Sequence, residues 1–359
     1  SVNSKKYDKS AVWFASDLEQ QDNWNFSLDQ TSRDHLKQMI KATLDKDRPL
    51  FNYKPDEFDL GPAGKTIAAA MNMAHYGRGI ALLSGLPRDG VSEQEFELLN
   101  WAIGLHSGVA RPQGRASQYI SSVRDAGTDY RAATGRGYSS NAKLDFHADG
   151  CDLATLACYN KAKSGGQSMI SSSVTAWQVM CAERPDLAEV IHGETYYFSR
   201  QGEEAEDEGP FYGQPLVDFE EGRLFAKWNR NRIMSAQNLE GVPKLTELQR
   251  EASDLFDAIL KRPDIMYTMY LKPGDLQILN NHVTLHSRTN FIDHDELDKK
   301  RLLCRLWLAT PNSVPLPKSW DAYFHSVKPG SVRGGIRGHQ YDDKCRIFEQ
   351  RQAAHLGMH

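Results

Sequence analysis

The decisive stretch of the chain lies at residues 145–150, which read Asp-Phe-His-Ala-Asp-Gly. In a β-strand, side chains two residues apart point to the same face. His147 and Asp149 can therefore present an imidazole and a carboxylate to one metal ion. Taken alone the pair is a weak signal, because a hydrogen-bonded pair in the wall of a β-barrel has the same pattern. A metal site needs a third ligand elsewhere in the chain.

The third ligand is predicted at His286, at the end of the stretch 280–286, which reads Asn-Asn-His-Val-Thr-Leu-His. This stretch follows a Lys-Pro-Gly-Asp turn at 272–275 and a short apolar strand. Two histidines and one carboxylate on one side of a metal leave three positions open, as in non-haem Fe(II) oxygenases. Those positions suit a bidentate 2-oxo acid and O2.

Two other histidines begin His-x-Glu pairs and compete with this assignment. His294 lies in a charged stretch that we expect to be exposed, and only tail histidines follow it. His192 precedes a predicted strand and has His286 downstream, so it is the stronger competitor. The sequence context favours His147 over both.

Two arginines interrupt the apolar strand predicted over Arg301–Ala309. Arg301 and Arg305 share one face, and their backbones lie roughly 13 Å apart at about 3.3 Å per residue. A charge in a core strand requires a partner, and arginine suits a carboxylate in a partly dry site. We expect one arginine to bind a cosubstrate and the other to lie near the substrate.

Short strand-like segments dominate the chain after residue 117, with Gly- and Pro-rich turns between them. Helices are predicted after Ser32, over Lys65–His75, after the Ser92 capping box, over Thr175–Arg184 and over Leu245–Lys261. The pattern predicts a mainly β protein with flanking helices, a sandwich or jelly roll. It argues against a doubly wound sheet. The acidic stretch Glu203–Glu208 is interpreted as a solvated loop, with a cation site as the alternative.

Composition excludes several classes of protein. The 43 Lys and Arg against 47 Asp and Glu give a net charge of −4, which argues against a nucleic-acid partner. No apolar run approaches the length of a membrane span, and the N-terminal residues lack a signal-peptide core. We therefore expect a soluble cytoplasmic protein without a membrane partner; a homo-oligomer is left open.

These motifs together resemble the taurine dioxygenase (TauD/TfdA) family of Fe(II)- and 2-oxoglutarate-dependent oxygenases. The resemblance extends from about Gly77 to Ala309, and it includes a Gly-Gly-Gln-Ser motif at 165–168. It implies a double-stranded β-helix, the cupin-like jelly roll, and a single domain over 1–359. Within that domain, 1–76 is a mostly helical elaboration, 77–311 the core and 312–359 a tail that we expect to be irregular.

The resemblance also implies roles for individual residues. Fe(II) is bound by His147, Asp149 and His286, and 2-oxoglutarate by Ser168 and Arg301. Weaker assignments place Arg305 near the cosubstrate and the substrate anion, and Asn281 beside the metal. Further substrate contacts are predicted at Asn141, Tyr138 and Trp228.

The chemistry implied is oxidation of a small anionic substrate, an amino acid or another carboxylate, with release of succinate and CO2. Hydroxylation is the default outcome. The chain from His286 to Arg301 is a few residues longer than in the taurine enzyme, so the roles of the two arginines depend on where the gap falls. Two alternatives stay open: a catalytically silent jelly-roll protein that binds metal or regulates, and a zinc-type metal hydrolase.

Overall fold

The computed structural model describes residues 1–124 and 141–359. Its helices are α1 (Ala15–Gln20), α2 (Gln30–Thr43), α3 (Ala63–Tyr76), α4 (Glu93–Ser107), α5 (Ser173–Glu183), α6 (Pro185–Gly193), α7 (Arg230–Ala236), α8 (Glu247–Leu260), α9 (Asp321–Phe324) and α10 (Asp343–Leu356). Within these described ranges, no helix has the length and apolar character needed to cross a membrane.

The strands are short, and most belong to two sheets. They are β1 (Asn25–Ser27), β2 (Ile80–Ser84), β3 (Val109–Ala110), β4 (Ser121–Val123), β5 (Leu144–His147), β6 (Leu153–Asn160), β7 (Ser164–Gly165), β8 (Ser168–Ser172), β9 (Tyr196–Ser199), β10 (Phe211–Gln214), β11 (Val217–Glu220), β12 (Arg223–Ala226), β13 (Tyr267–Met269), β14 (Leu276–Asn280), β15 (Thr284–Arg288), β16 (Phe291–Ile292) and β17 (Leu302–Ala309).

The larger sheet has seven strands in the order β1-β2-β14-β6-β17-β3, with β4 also paired to β17. The smaller sheet has the order β13-β8-β15-β5. Ile170 of the smaller sheet packs with Ile80 and Leu279 of the larger one in a buried cluster. The neighbouring strands are far apart in sequence and mostly antiparallel, and the two sheets share a core. This is the arrangement of the predicted jelly roll.

Helices cover both outer faces of this core. The larger sheet is covered by α3 and α4, through a buried cluster that includes Ile67, Phe96 and Leu306. The smaller sheet is covered by α5, with α6 and α8 behind it, in a cluster that includes Trp177 and Leu285. The predicted capping box is present: Ser92 and Glu95 exchange hydrogen bonds at the start of α4.

The helices α1, α6 and α7 were not predicted, although Pro185 at the first turn of α6 is a typical helix start. The tail is not irregular throughout, because α10 is capped by Asp342 and packs Phe348 against Trp101 of α4. Apolar burial of Phe348 stabilises this helix against the core, although its sequence is mostly polar.

Candidate active site

Two neighbouring strands of the smaller sheet carry the predicted histidines. In the antiparallel pair β5 and β15, His147 lies directly opposite His286. Their ring centroids are 4.4 Å apart. Residues directly opposite each other on one face of a sheet are the closest cross-strand neighbours. The register of the sheet therefore brings together two residues that are 139 positions apart in the sequence.

Asp149 follows β5 and completes the cluster. Its Oδ1 lies 3.6 Å from Nε2 of His147, and its Oδ2 lies 3.6 Å from Nε2 of His286. One ligand atom from each of the three residues lies within 4.8 Å of the others. In the described part of the chain, no other group of His, Cys, Asp or Glu has this arrangement. The donor set, two imidazoles and one carboxylate, fits an iron ion with open positions.

Hydrogen bonds hold the ligands in orientations that suit metal binding. The carbonyl of Asp145 accepts from Nδ1 of His147 at 2.8 Å, so Nε2 keeps its lone pair for a metal. The backbone N–H of Asp149 donates to Oδ1 of Asn281 at 3.0 Å. Burial lowers the pKa of His286 to about 4, so this imidazole is neutral near pH 7. A neutral imidazole is the form that ligates.

A cavity of about 150 Å³ opens beside these three side chains. Part of its wall is apolar, with Val123, Leu156, Leu271 and Leu303. Ser168, Arg301 and Arg305 line the same cavity. The structure therefore brings the predicted metal ligands and the predicted anion-binding residues to one space.

Arg301 is buried in this cavity, and its guanidinium forms no ion pair with a carboxylate of residues 1–124 or 141–359. It is 6% exposed, and Nη1 of its guanidinium has no hydrogen-bond partner within residues 1–124 and 141–359. Burial lowers the pKa of Arg301 to about 10, so it remains a cation near pH 7. Its guanidinium lies 4.9 Å from the ring centroid of Phe291. The Asp293 carboxylate accepts from the backbone N–H of Arg301 and attracts the guanidinium, but forms no ion pair with it. Burying such a cation is costly, so the site is suited to an anionic ligand.

The Gly-Gly-Gln-Ser motif lies against Arg301. Gly166 has a φ of +72°, and a Cβ there would lie 3.2 Å from Nε of Arg301. Ser168 begins β8, and its Oγ accepts a hydrogen bond from Nε2 of Gln277 at 3.2 Å. That bond leaves the Ser168 O–H to donate. The motif thus gives the guanidinium room and places a hydroxyl in the same cavity.

Arg305 lies within β17, whereas Arg301 precedes it, and Arg305 has a protein partner. Its Nε donates to Oε1 of Gln113 at 2.9 Å, and Nε2 of Gln113 donates to the Arg305 carbonyl at 2.9 Å. The guanidinium lies 5.1 Å from the ring centroid of Trp307. Gln113 therefore fixes the direction in which Arg305 enters the cavity.

The weaker assignments lie at different places around the cavity, and one falls beyond the described residues. Asn281 does not line the cavity, because its amide binds Asp149 and Cys151 instead. Trp228 does not line it either: its indole N–H donates to Asp257 at 3.0 Å, within the core. The side chain of Asn141 is exposed and absent from the cavity wall. Tyr138 lies outside the described residues.

Neither competing histidine lines this cavity. His192 lies on α6, where its Nδ1 donates to the carbonyl of Val217 at 3.0 Å and its ring contacts Trp177. His294 lies in the loop after β16 and does not line the cavity. Both agree with the choice of His147 from sequence context.

The acidic stretch 203–208 is a solvated loop only in part: Glu206 and Asp207 are exposed, but Glu203 and Glu208 form ion pairs. Glu203 pairs with Arg232 at 2.8 Å, and Glu208 pairs with Arg200 at 2.9 Å. Both carboxylates are largely buried. Arg232 lies too far along the sequence for a local pattern to predict its pairing with Glu203. The two ion pairs neutralise cations near the cavity.

Lys227, Arg288 and Tyr323 also line the cavity and were not predicted from the sequence. Lys227 lies in the run Leu-Phe-Ala-Lys-Trp at 224–228. This is the pattern that identified Arg301, a charge inside an apolar segment, so the signal was present. Arg288 lies two residues after His286 on the same face of β15. Tyr323 comes from the tail, and its local sequence carries no such signal.

Comparison with known proteins gives a family match over residues 46–307, to the family described as "Taurine catabolism dioxygenase TauD, TfdA family". FR-33289 synthase of Streptomyces rubellomurinus is 27% identical over 321 residues, which are 89% of this chain and 94% of that protein. Taurine hydroxylase-like protein SAT17 of Stachybotrys chartarum is 25% identical over 250 residues, 66% of this chain and 62% of that protein.

Solved structures show the same fold. Asparagine oxygenase, in a complex with Fe(II), 2S,3S-3-hydroxyasparagine and succinate, matches with a TM-score of 0.55 at 17% identity, over 80% of this chain and 94% of its own. The non-haem iron oxygenase OrfP, in complex with Fe and alpha-ketoglutaric acid, matches with a TM-score of 0.57 at 14% identity, over 79% of this chain and 94% of its own. With the sequence match covering most of the chain, the protein belongs to the TauD, TfdA family.

Proposed function

We propose that this family member, an Fe(II)- and 2-oxoglutarate-dependent dioxygenase, binds iron through His147, Asp149 and His286 and oxidises a small anionic substrate. The observation that carries the proposal is the shared cavity. Three side chains that fit a metal and a buried guanidinium without a carboxylate partner line one space. A metal and an organic anion can therefore be bound side by side.

The chain's own residues hold the metal ligands ready. Asp145 fixes the His147 ring and Asn281 holds the backbone of Asp149, an outer set of contacts that orients ligands. When bound there, Fe(II) would supply activation of O2 coupled to decarboxylation of 2-oxoglutarate to succinate and CO2. The apolar part of the cavity wall limits the access of water to the site.

Arg301 and Ser168 are proposed to bind the distal carboxylate of 2-oxoglutarate. The guanidinium offers donors in a planar fork that matches a carboxylate. The Ser168 hydroxyl, which already accepts from Gln277, donates to the same group. These contacts would fix the cosubstrate at one end, so that its 2-oxo acid end faces the metal ligands.

The substrate is proposed to be an amino acid or another carboxylate, with hydroxylation as the outcome. Arg305 and Lys227 are among the other cations that line the cavity, and they suit an anion. Relatives of the same fold offer support: asparagine oxygenase is described with a hydroxylated asparagine, and OrfP with a hydroxylated arginine.

The alternatives account for less of the structure. A zinc-type hydrolase gives no role to the unpartnered guanidinium of Arg301 or to Ser168. A silent binding protein does not need a complete ligand set, and all three ligands are present. The family match supports the oxygenase and neither alternative.

We also propose that residues 1–359 act as one domain. Support comes from the cavity wall, to which strands, α7 and the tail residues Tyr323 and Ile336 all contribute. Binding of a small-molecule substrate, without nucleic acid or membrane, remains a prediction, and so does homo-oligomerisation.

Succinate release tests the function. The purified protein is incubated with Fe(II), 2-oxoglutarate and a panel of amino acids, sulfonates and aryloxy acids, and we expect at least one acid to stimulate succinate formation. Asp149→Ala should abolish the stimulation, whereas Asp47→Ala, at an exposed loop position, should keep it. Turnover that needs zinc but not 2-oxoglutarate would instead support the hydrolase.

A further inference from the structure

Lys227 is a buried lysine whose side chain reaches the cavity. It follows β12, is 6% exposed and lines the same space as the metal ligands. Lysine is almost never buried without a partner, because its charged form is strongly hydrated. Its position therefore needs an explanation.

Aromatic rings surround the ammonium group. Nζ of Lys227 lies 4.0 Å from the ring centroid of Tyr323, 5.4 Å from that of Tyr212 and 5.8 Å from that of Phe198. Contacts with ring faces stabilise a cation to a limited extent. They orient the ammonium and leave its three N–H donors to bind an acceptor.

The neighbouring cations are neutralised, but Lys227 is not. Arg200 pairs with Glu208 at 2.9 Å, and Arg232 pairs with Glu203 at 2.8 Å. Within the described residues, Nζ of Lys227 forms no hydrogen bond or ion pair. Asp149 attracts the ammonium only from a distance, and we assign that carboxylate to the metal. One cation at this end of the cavity therefore has no anion.

The pKa of Lys227 agrees with this geometry. Burial lowers the pKa of Lys227 to about 7, and repulsion by Arg232 and Arg200 adds to the effect. A bound anion would favour the charged form of the amine. The group is thus poised to gain a proton when an anion enters.

Lys227 lies beside the segment that carries the metal ligands, on a different part of the cavity wall from Arg301. The carbonyl of Trp228 accepts from the backbone N–H of Ala148 at 3.1 Å, so the chain at 227–229 runs beside the ligand segment. The Tyr323 hydroxyl donates to the carbonyl of Gly150 at 3.1 Å. Lys227 therefore belongs to the side of the cavity that carries Asp149.

Arg301 belongs to a different part of the wall. Its neighbours are Gly166 and Phe291, and neither contacts Lys227. Lys227 and Arg301 are thus separate cationic positions in the cavity wall, which Arg288 and Arg305 also line; Gln113 holds Arg305. One cosubstrate does not need all of them, so one position is available for the substrate.

We infer that Lys227 is the residue that binds the anionic group of the substrate, and that the substrate is a small molecule whose oxyanion lies on the Asp149 side of the cavity. The inference rests on the proposed function and deepens it. It assigns substrate recognition to a lysine between Tyr212 and Tyr323, rather than to Arg305 alone.

The test uses the full chain with Fe(II) and 2-oxoglutarate under anaerobic conditions. The probes are acids from the panel, each paired with its neutral primary amide, and the readout is the change that each causes in the metal-to-2-oxoglutarate charge-transfer band. We expect Lys227→Met to weaken binding of the responding acid by about 30-fold or more, equivalent to about 2 kcal/mol. Lys227→Arg should restore part of the loss.

Two readouts separate recognition from a structural effect. Affinity for 2-oxoglutarate should stay within about twofold in Lys227→Met, and the amides should bind both proteins equally weakly. Lys46→Met, at an exposed position, is the matched control. Acid affinity unchanged in Lys227→Met, or an equal loss of 2-oxoglutarate affinity, overturns the inference. Absence of the band in the wild-type protein would instead overturn the proposed function.

Discussion

The imidazole rings of His147 and His286 lie opposite each other on neighbouring antiparallel strands, with centroids 4.4 Å apart. Both Nε2 atoms face the carboxylate of Asp149, each at 3.6 Å from one of its oxygens. A slip of one residue in this register would turn one imidazole to the opposite face. The metal site therefore depends on the register of this sheet. Contacts that hold the segments carrying the ligands should affect the affinity for iron.

Asn281→Ala is expected to weaken Fe(II) binding by about 10- to 100-fold, the usual range for loss of an outer contact to a metal ligand. The amide oxygen accepts from the backbone N–H of Asp149, which loses its partner in the variant. Equilibrium titration with Fe(II) under anaerobic conditions measures the effect. Asn3→Ala, at an exposed position, should bind as the wild type does. Equal affinity in both variants would contradict the positioning role.

Arg301→Gln is expected to raise the KM for 2-oxoglutarate by about 100-fold, because a charge-assisted contact to a carboxylate contributes about 1.5–3 kcal/mol. The kcat at saturating 2-oxoglutarate should change much less, since the lost contact lies at the distal end of the cosubstrate. Steady-state succinate assays separate the two constants. Arg346→Gln on α10 is the exposed control. A fall in kcat with an unchanged KM would refute this assignment.

Lys227→Met is expected to stabilise the fold at low pH. Burial, with Arg232 and Arg200, lowers the pKa of Lys227 from 10.5 to about 7. Between these values the unfolded chain binds a proton that the folded chain lacks, so wild-type stability rises with pH across this window. Below pH 7 the buried charge lowers the free energy of unfolding by its full cost. At about 1.4 kcal/mol per pKa unit, this cost is at most about 5 kcal/mol.

Urea denaturation at several pH values measures this effect. The stabilisation by Lys227→Met should be largest below pH 7 and should shrink toward pH 10.5. The other titratable groups facing the ammonium are Arg200, Arg232, Asp149, Cys151, Tyr212 and Tyr323. Lys46→Met should show no such trend. A difference that does not depend on pH would mean that the buried ammonium does not carry this cost.

Arg333→Met is expected to lower the free energy of unfolding by about 3–5 kcal/mol, because it leaves a buried carboxylate without its cation. Arg333 binds Asp152 through two hydrogen bonds, at 3.1 and 2.8 Å, and His282 binds the same carboxylate at 2.8 Å. Arg346→Met should change stability little, since both members of that ion pair are exposed. Denaturation in urea at pH 7 compares the two, and equal small losses would contradict the prediction.

The same pair contributes to acid unfolding. Burial by itself would raise the pKa of Asp152, but Arg333 and His282 outweigh it and hold the pKa well below its usual range. The stabilisation is present above the unfolded pKa, near 4, and is lost as pH falls below it. In Arg333→Met this part of the acid dependence should be weaker, which urea titrations between pH 3 and 7 would show.

Local patterns predicted much of the sheet and the core of the site. Strand geometry predicted that His147 and Asp149 share a face, although β5 ends at His147 and Asp149 follows it. Arg301 was identified as a charge within an apolar strand. These signals are local, so a single sequence contains them. Most predicted strands and helices are confirmed with bounds shifted by a few residues, as hydrogen bonding rather than composition ends each element.

The substrate end of the cavity could not be predicted in the same way. Tyr323 enters it from the tail, and the pairing of Glu203 with Arg232 depends on how distant loops fold together. Trp228 was assigned to the substrate, but Asp257 of α8 offers its indole a buried acceptor. Such contacts arise from tertiary packing, which no short sequence window records.

The most direct measurement of the central claim is an anaerobic titration of the purified protein with Fe(II) and 2-oxoglutarate, followed by its charge-transfer absorption. The wild-type protein and His192→Ala, whose imidazole lies on α6, should both develop the band. His147→Ala should not. Retention of the band in His147→Ala together with its loss in His192→Ala would contradict the assignment of iron to His147, Asp149 and His286.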